Sequence, residues 1–522
     1  MKVLLVTGLL AENMVKHYAQ ESRVKTEVFA LNVPVAALLT PERIANDLKN
    51  LKHGDFDVIL IPGLTRGNAE VIADTTGIPT FKGPRYAADL PTILDALDHA
   101  KFSTVTPACD ILREELQRKA LQELEAAEKN RNVLLRKSGN MLVGKLAVGR
   151  DFPMRIMAEI VDAALMSNSE IQKLAKNYVT VGADIIDIGM VAGDARPSDA
   201  KRAVEAVKSV VDVPVSIDSL DPDEIREAVS AGADLVLSAD AGNIEKIAPF
   251  ASNVAVVVIP TNQHVGYFPK EAEERVSFLE GLIEKARALG ITRLIGDLIL
   301  DPSNVVESLI AFREFANRNL NVPLFVGVSN VTELIDADSV GVNALLAWLS
   351  SEVGASILLA TEKSSKAKGS VREEVIASKM MFLAKKRGSV PKDLGLDVLV
   401  LKDKRNREEP YNKDLETNAN VVVVSSYSKP AVLDDKGSFR IALDRIEGAI
   451  VALHYTSLKM NQPVNIIKGK TAESVYTKIA ELGLVTRIDH AAYLGSELAK
   501  AEVALKTGKE YIQDAIMFER KG

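Results

Sequence analysis

Between residues 150 and 361 a short apolar run ends on a polar or turn-forming residue again and again, as in ADIIDIG (183–189), VPVSIDS (213–219) and PLFVGVSN (323–330). Apolar runs this short, bounded by turn residues and separated by helical stretches, suit the buried strands of a parallel sheet. Their ends fall near Glu159, Asp187, Asp218, Ser238, Pro260, Asp301, Ser329 and Thr361. Separations of roughly 20 to 40 residues accommodate one strand, one helix and two loops, eight times over. Helices fill the gaps: DPDEIREAVSAGA opens with an acidic first turn that Asp221 or Ser219 can cap. The pattern predicts an α/β fold built on a central (β/α)8 TIM barrel. A barrel of this kind places its site on the rim made by the carboxyl ends of its strands, so the polar residues that end these runs are the candidates for chemistry.

The chain has 522 residues, more than one hydrophobic core accommodates, so further domains are expected. Residues 1–138 alternate short strands (KVLLVTG, KTEVFALNV, FDVILIPG) with helical stretches and predict a doubly wound α/β domain of flavodoxin or Rossmann type. That segment ends in a linker, 110–137, which lacks Gly and Pro, mixes charges densely and reads as a long solvated helix. The barrel is expected over 139–395. A C-terminal α+β domain is expected over 396–522, opening with the polar linker KDKRNREEPYNKD and continuing with the strands NVVVVSSY, GSFRIALD and AIVALHYT.

Charge narrows the partners. With 64 basic and 71 acidic side chains the formal charge is −7, which argues against a broad nucleic-acid-binding face. The single cysteine, Cys109, reads as a small buried apolar residue, allows no internal disulfide and fits a reducing cytosol. The opening MKVLLVTGLLAEN is too short an apolar run to span a bilayer and is expected to be a first strand, so a cytoplasmic protein is expected.

Asp187, Asp218 and Asp301 follow strands that are expected to be buried, where an unpartnered carboxylate costs several kcal/mol of desolvation. A ring presenting an amino group beside an N–H, such as a pterin or guanine, satisfies one carboxylate with two bonds. Capping a helix or binding backbone in a βα loop is the equally weighted alternative for any one of them. A metal is less favoured, because no His stands at ligand spacing and no metal-binding residues are assigned.

At these residues the chain resembles a known family. GADIIDIGMVAGDARP is similar to the second-strand motif of dihydropteroate synthases, VPVSIDS to the third and LILDP to the sixth. The whole chain resembles the archaeal dihydropteroate synthase-related proteins, whose pterin-binding barrel is shared with tetrahydropterin-dependent methyltransferases. The resemblance implies that Asp218 grips the pterin amino group and ring N–H, that Asp301 holds its other edge and that Asp187 lines the wall. Glu159, Ser238, Ser329 and Asn330 complete the pterin site it implies. The Arg-Lys pair that synthases carry after the seventh-strand Ser is replaced by Gly327-Val328-Ser329-Asn330-Val331-Thr332, which resembles the methyltransferase motif, as does Ala158-Glu159. The eighth-strand Arg-X-His of the synthases is also absent.

After the eighth strand, TEKSSKAKGSVRE gathers Lys363, Lys366, Lys368 and Arg372 ahead of a helix. A solvated charge run and an anion site at a helix start are both open readings. In a synthase reaction Lys366, Lys368 and Arg372 would stabilise departing diphosphate, with Mg2+ as its counterion, while an arylamine attacks the pterin methylene carbon. In methyl transfer Asn330 would stabilise a protonated pterin N5, and a corrinoid protein would be the partner, although no Asp-X-His-X-X-Gly string is present. The expected function is a dihydropteroate synthase-like transferase in tetrahydromethanopterin or folate biosynthesis. A tetrahydropterin methyltransferase and a non-catalytic pterin-binding protein are the alternatives, and a homodimer is left open.

Gly63, Arg66 and Gly67 after the third strand, and Lys82, Gly83 and Arg85 after the fourth, mark the usual ligand edge of a doubly wound sheet, with ordinary tight turns as the plainer reading. In the tail, Ala491, Leu494, Leu498, Ala501 and Leu505 have helical core spacing, and His490, Glu497 and Lys500 are open to a functional role, with a helix cap and an exposed ion pair as the adequate plainer reading.

Overall fold

The computed structural model describes residues 1–51, 54–402, 416–417, 420–424, 433–457 and 461–518. Its centre is a closed barrel of eight parallel strands: β7 (Arg155–Ile160), β8 (Ile185–Gly189), β9 (Val215–Asp218), β10 (Leu235–Ala239), β11 (Ala255–Val258), β12 (Leu294–Gly296), β13 (Leu324–Val326) and β14 (Ala355–Ala360). The ring closes by pairing β14 with β7. The TIM barrel expected from the strand-end pattern is therefore present, flanked by further sheets on both sides.

Alternation along the strands decides what fills the barrel. Met157, Ile185, Leu235, Val257, Ile295, Phe325 and Ile357 form an inner apolar cluster. The even-numbered residues of β7 face the surrounding helices in a separate, larger core that also takes in Ile186, Val236 and Phe312. Below the barrel lies a hairpin, β5 (Asn140–Val143) paired with β6 (Leu146–Gly149), whose Val143 and Val148 join the inner cluster and close its floor. A Cβ on Gly144, whose φ is +53°, would come within 2.8 Å of Asp234, so this tight turn fits beneath β10 only as glycine.

The N-terminal sheet has the parallel order β2–β1–β3–β4, with β1 (Lys2–Gly8), β2 (Lys25–Leu31), β3 (Val58–Ile61) and β4 (Thr80–Lys82). At the carboxyl edge of this sheet Arg85 is already committed to Asp110 through two bonds of 2.7 and 2.9 Å, beside the buried Cys109. The linker departs from the expected single solvated helix. It breaks into Ala108–Ile111, Arg113–Lys129 and Arg131–Leu134, and Leu116, Ala120, Leu124 and Ala127 are buried. Ala120 and Leu124 pack into the outer barrel core, and Glu123 pairs with Arg387 (3.1 Å) at the end of the helix Ser370–Arg387. Tertiary contact gave a charged helix one buried face that its weak periodicity concealed.

The C-terminal sheet is the antiparallel meander β15 (Ser438–Asp444), β16 (Ala449–Tyr455) and β17 (Asn465–Gly469), covered by the helices Ala472–Glu481 and Ile488–Thr507. Of the strand expected in NVVVVSSY, residues 420–424 are not a strand and the rest lies outside the described residues, as does nearly all of the linker 402–414. In the last helix Leu494, Leu498 and Ala501 are buried as spaced, but Ala491 is exposed. Glu497 is buried, not exposed: it pairs with Lys500 and accepts the Tyr511 hydroxyl at 2.8 Å. His490 does not merely cap a helix, since its ring nitrogen Nδ1 lies 3.3 Å from the buried Asp434. No helix among the described residues is long and apolar enough to cross a membrane.

Candidate functional site

Two residues beyond the inner apolar layer, the same alternation brings carboxyl groups into the barrel mouth. Glu159 pairs in register with Asp187, which pairs with Ser216, and Asp218 follows two residues later on β9. Glu159, Asp187 and Asp218 each offer an oxygen within 4.8 Å of the others. Gly189 makes room for them, because a Cβ there would come within 2.4 Å of Glu159 Oε1.

Burial and mutual repulsion keep this set protonated well above the ordinary carboxyl range. Burial, then the neighbouring Asp218, pushes Glu159 up to about 8, with Lys363 opposing. Burial raises Asp218 to about 7. Asp187, fully buried, is raised well above its ordinary value by desolvation and then by Asp218 and Glu159, although the Ser216 hydroxyl donates to its Oδ1. Its Oδ2 is buried without a hydrogen-bond partner among the described residues. Carboxyls this close release their protons as a set. Near neutral pH the mouth therefore holds acids that can both donate and accept hydrogen bonds.

A fourth acid belongs with them. Asp297 stands two residues after the inward-facing Ile295, immediately past β12, and burial raises it to about 7 with Asp218 contributing repulsion. Sequence reasoning assigned this place to Asp301, and the structure corrects it. β12 ends at Gly296, and the chain turns out of the sheet through Asp297, whose Oδ1 accepts the Ile299 N–H at 2.8 Å. Ile299 has φ of +64°, an unusual backbone for a β-branched residue. Asp301 then lies in the following loop. Its carboxylate accepts the Ser303 hydroxyl (2.6 Å) and N–H (2.9 Å) and lies 3.5 Å from Lys270 and 3.7 Å from the buried Arg275, and the Ser303 bonds in particular hold it below the usual carboxylate range. It is a satisfied loop residue. The signal that would have found Asp297 is period two counted from Ile295.

The other sequence candidates divide. Ser238 is buried at a register shift in β10, and its carbonyl accepts Asn243 Nδ2 (3.1 Å). Ser329 is buried at the start of the short helix Ser329–Thr332 after β13. Asn330 is exposed on that rim, folded over Gly327, with Nδ2 donating to Leu300 O at 3.3 Å. The basic residues do not gather as one anion site. Lys363 pairs with Asp162 (3.0 Å), Lys366 donates to Ile335 O (2.6 Å) and lies 3.3 Å from Asp336, and Arg372 is exposed. The expected anion position at the start of the helix Ser370–Arg387 is filled from within, since Glu362 accepts backbone N–H groups of Val371 and Gly369. Lys363 and Lys366 point in different directions because each meets a different neighbour, and Lys368 acts through space on Glu362.

The three-carboxylate set also suits a hard divalent cation of the Mg2+ type, which takes oxygen ligands alone, so the lack of a neighbouring His does not weigh against it.

A protein of Methanocaldococcus jannaschii named "Uncharacterized protein MJ0107" is 41% identical to this chain over 533 residues, covering 99% of both. A family model described as "Pterin binding enzyme" matches residues 160–358, the segment that carries the barrel mouth. The chain belongs to the archaeal, dihydropteroate synthase-related pterin-binding family. Family models described as "PterinBD-DUF4346" and "Family of unknown function (DUF6513)" match 433–514 and 1–85. The Ycf91-like protein of Nostoc sp. is 36% identical over 106 residues, covering 16% of this chain and 84% of that protein. Among solved structures, dihydropteroate synthase from Yersinia pestis is 21% identical and covers 48% of this chain and 100% of its own, with a TM-score of 0.38. The synthase of Xanthomonas albilineans in complex with 7,8-dihydropteroate is 19% identical and covers 45% of this chain and 96% of its own, with a TM-score of 0.36.

Proposed function

We propose that the barrel mouth binds a reduced pterin and that the protein is a pterin-dependent transferase of the dihydropteroate synthase type. It would join a hydroxymethyl-dihydropterin diphosphate to an arylamine in folate or tetrahydromethanopterin biosynthesis. One observation carries the pterin assignment: the half-buried Asp218 stands beside the fully buried Asp187, whose Oδ2 has no hydrogen-bond partner among the described residues. A donor-rich ring supplies what that oxygen lacks. Asp218 would take the amino group and adjacent ring N–H, Asp187 would line the wall, and Asp297 replaces Asp301 at the opposite edge.

Glu159, the least buried of the three-carboxylate set, would hold a Mg2+ that neutralises a diphosphate once it has given up its proton. Bound there, the cation would supply charge stabilisation that the mouth's own acids oppose. The remaining work is orientation: the acids hold the pterin ring so that its methylene carbon faces the open mouth. A second reading, methyl transfer from a tetrahydropterin to a corrinoid protein, is favoured by one observation. Glu159 at about 8 carries a proton at neutral pH, beside the rim that bears Asn330, and protonating N5 is what that reaction requires.

Two incubations of the full chain decide between them. One supplies the pterin diphosphate, an arylamine and Mg2+; the other supplies a methyl-tetrahydropterin and a corrinoid acceptor. Coupled pterin with released pyrophosphate supports the synthase. Demethylated pterin in the second mixture replaces it with the methyltransferase, and tight pterin binding with neither product leaves a non-catalytic pterin-binding protein.

A further inference from the structure

The face of the barrel opposite the mouth carries a cleft of about 580 Å³, within the size range of small-ligand sites. It lies where three helices end, Val305–Arg318, Ser339–Glu352 and Ser370–Arg387. Arg150, which leaves the floor hairpin of β5 and β6, enters from one side, and Gly354, the residue before β14, borders it on another.

The charge in this cleft is one-sided. Arg150, Arg313 and Lys385 line it, and Glu352 is the one acid among its described lining residues. Arg150 Nη2 donates to the Ala316 carbonyl at 2.9 Å, while its buried Nε has no hydrogen-bond partner among the described residues. Ser389 Oγ, on the same wall, is buried and equally without a partner among them. Arg313 and Lys385 make no hydrogen bond or ion pair among the described residues. Desolvation holds the Arg150 guanidinium below its ordinary range. Desolvation and then Arg150 do the same to the Lys385 ammonium, with Asp151 opposing. Asp151 is itself engaged by Lys137 (2.7 Å) and Asn140 (2.8 Å).

Cations gather at helix C-termini because the last carbonyls form a negative pole. Here much of that pole is used within the backbone. The Val353 N–H takes the Leu349 and Ser351 carbonyls, the Gly388 N–H takes those of Ala384 and Lys385, and the Asn319 N–H takes that of Phe315. Among the described residues, the Ala316 carbonyl alone of these helix ends accepts a bond from a cation. The helix ends therefore leave Arg313 and Lys385 unneutralised beside Arg150, an arrangement that an added anion relieves.

We propose that this cleft binds a small ligand of high negative charge, carrying two or more phosphate or carboxylate groups, on the far side of the barrel from the mouth. The two arginines offer forked donors, and Lys385 offers a point charge of adjustable reach. The cleft shares no residue with the mouth, so its occupant does not depend on the function proposed above.

Trp348, the single tryptophan of the chain, also lines the cleft, so its fluorescence reports occupancy directly. The full chain is titrated at low salt with tripolyphosphate, citrate and inorganic phosphate. Tripolyphosphate is expected to change Trp348 emission and to bind roughly tenfold or more tightly than inorganic phosphate. Citrate separates the two sources of charge: tighter binding than tripolyphosphate marks a carboxylate ligand, and weaker binding a phosphate one. Arg313→Gln with Lys385→Gln should weaken the tighter of the two by roughly tenfold or more. Both side chains are exposed and unbonded among the described residues, so the fold is expected to survive the change. Lysine acetylation of the unaltered chain, read by mass spectrometry, gives a second measure, with the tighter anion expected to protect Lys385. An unchanged affinity in the double variant, binding no tighter than that of inorganic phosphate, or no protection of Lys385 overturns the proposal. So does calorimetric binding without a Trp348 response, which places the anion elsewhere.

Discussion

Replacing Asp218 with Asn is expected to stabilise the barrel at alkaline pH while removing its grip on pterin. Burial raises this carboxyl from an ordinary 3.8 to about 7. At about 1.36 kcal/mol per pH unit, that rise corresponds to roughly 4 kcal/mol. The sign follows from which state holds the proton. Between those two values the folded chain keeps a proton that the unfolded chain has released, so this contribution to stability is complete below about 4 and is lost as pH rises through about 7. Glu159 and Asp187 share the titration, which leaves about 2 to 4 kcal/mol to the removal of Asp218 alone. Asn has no proton to lose. The variant should therefore exceed the wild type by about 2 to 4 kcal/mol at pH ~8 and by less than about half of that at pH ~5. The chain's single tryptophan, Trp348, lies on the barrel helix Ser339–Glu352, so its fluorescence in a urea titration follows the barrel without the flanking domains. A variant with an alkaline midpoint equal to or below that of the wild type would refute the idea that Asp218 is kept in the mouth against the stability of the fold.

The same substitution should weaken pterin binding by roughly 2 to 4 kcal/mol, since it removes one acceptor of a bidentate pair; unchanged calorimetric affinity would put the pterin elsewhere. Asp297→Asn should weaken pterin by about 1 to 3 kcal/mol. Asp301→Ala should leave pterin affinity nearly untouched and instead lower barrel stability by a similar amount, because it strands the Ser303 N–H and the buried Arg275; the opposite pattern would restore Asp301 to the site. Asn330→Ala should slow a synthase about tenfold and a methyltransferase a hundredfold or more, measured as turnover in the two incubations.

Much of the candidate site was legible in the chain, and its one exchange of residues is instructive. Glu159, Asp187 and Asp218 follow apolar runs, and the structure brings their oxygens together. The runs LIG and LIL both lead to an aspartate, in Gly296-Asp297 and Leu300-Asp301, and nothing local distinguishes them. The choice was made by where β12 leaves the barrel, at the turn through Ile299, which reflects the fit of β12 between β11 and β13 more than its own residues. The basic loop shows the same limit. Its charge density is plain in TEKSSKAKGSVRE, but the partner of Lys363 is Asp162, on the other side of the barrel seam, and that of Lys366 is the Ile335 carbonyl.

By itself the sequence determined the architecture, because strand burial and alternation are properties of a few consecutive residues and recur eight times between β7 and β14. It also determined which kind of side chain would reach the rim. Tertiary structure alone decided which acids meet, which cations are already neutralised and where the flanking domains touch the barrel. Those outcomes depend on distances between residues far apart in the chain. Electrostatic and desolvation energies change steeply over a few ångströms, a scale that spacing along the sequence does not record.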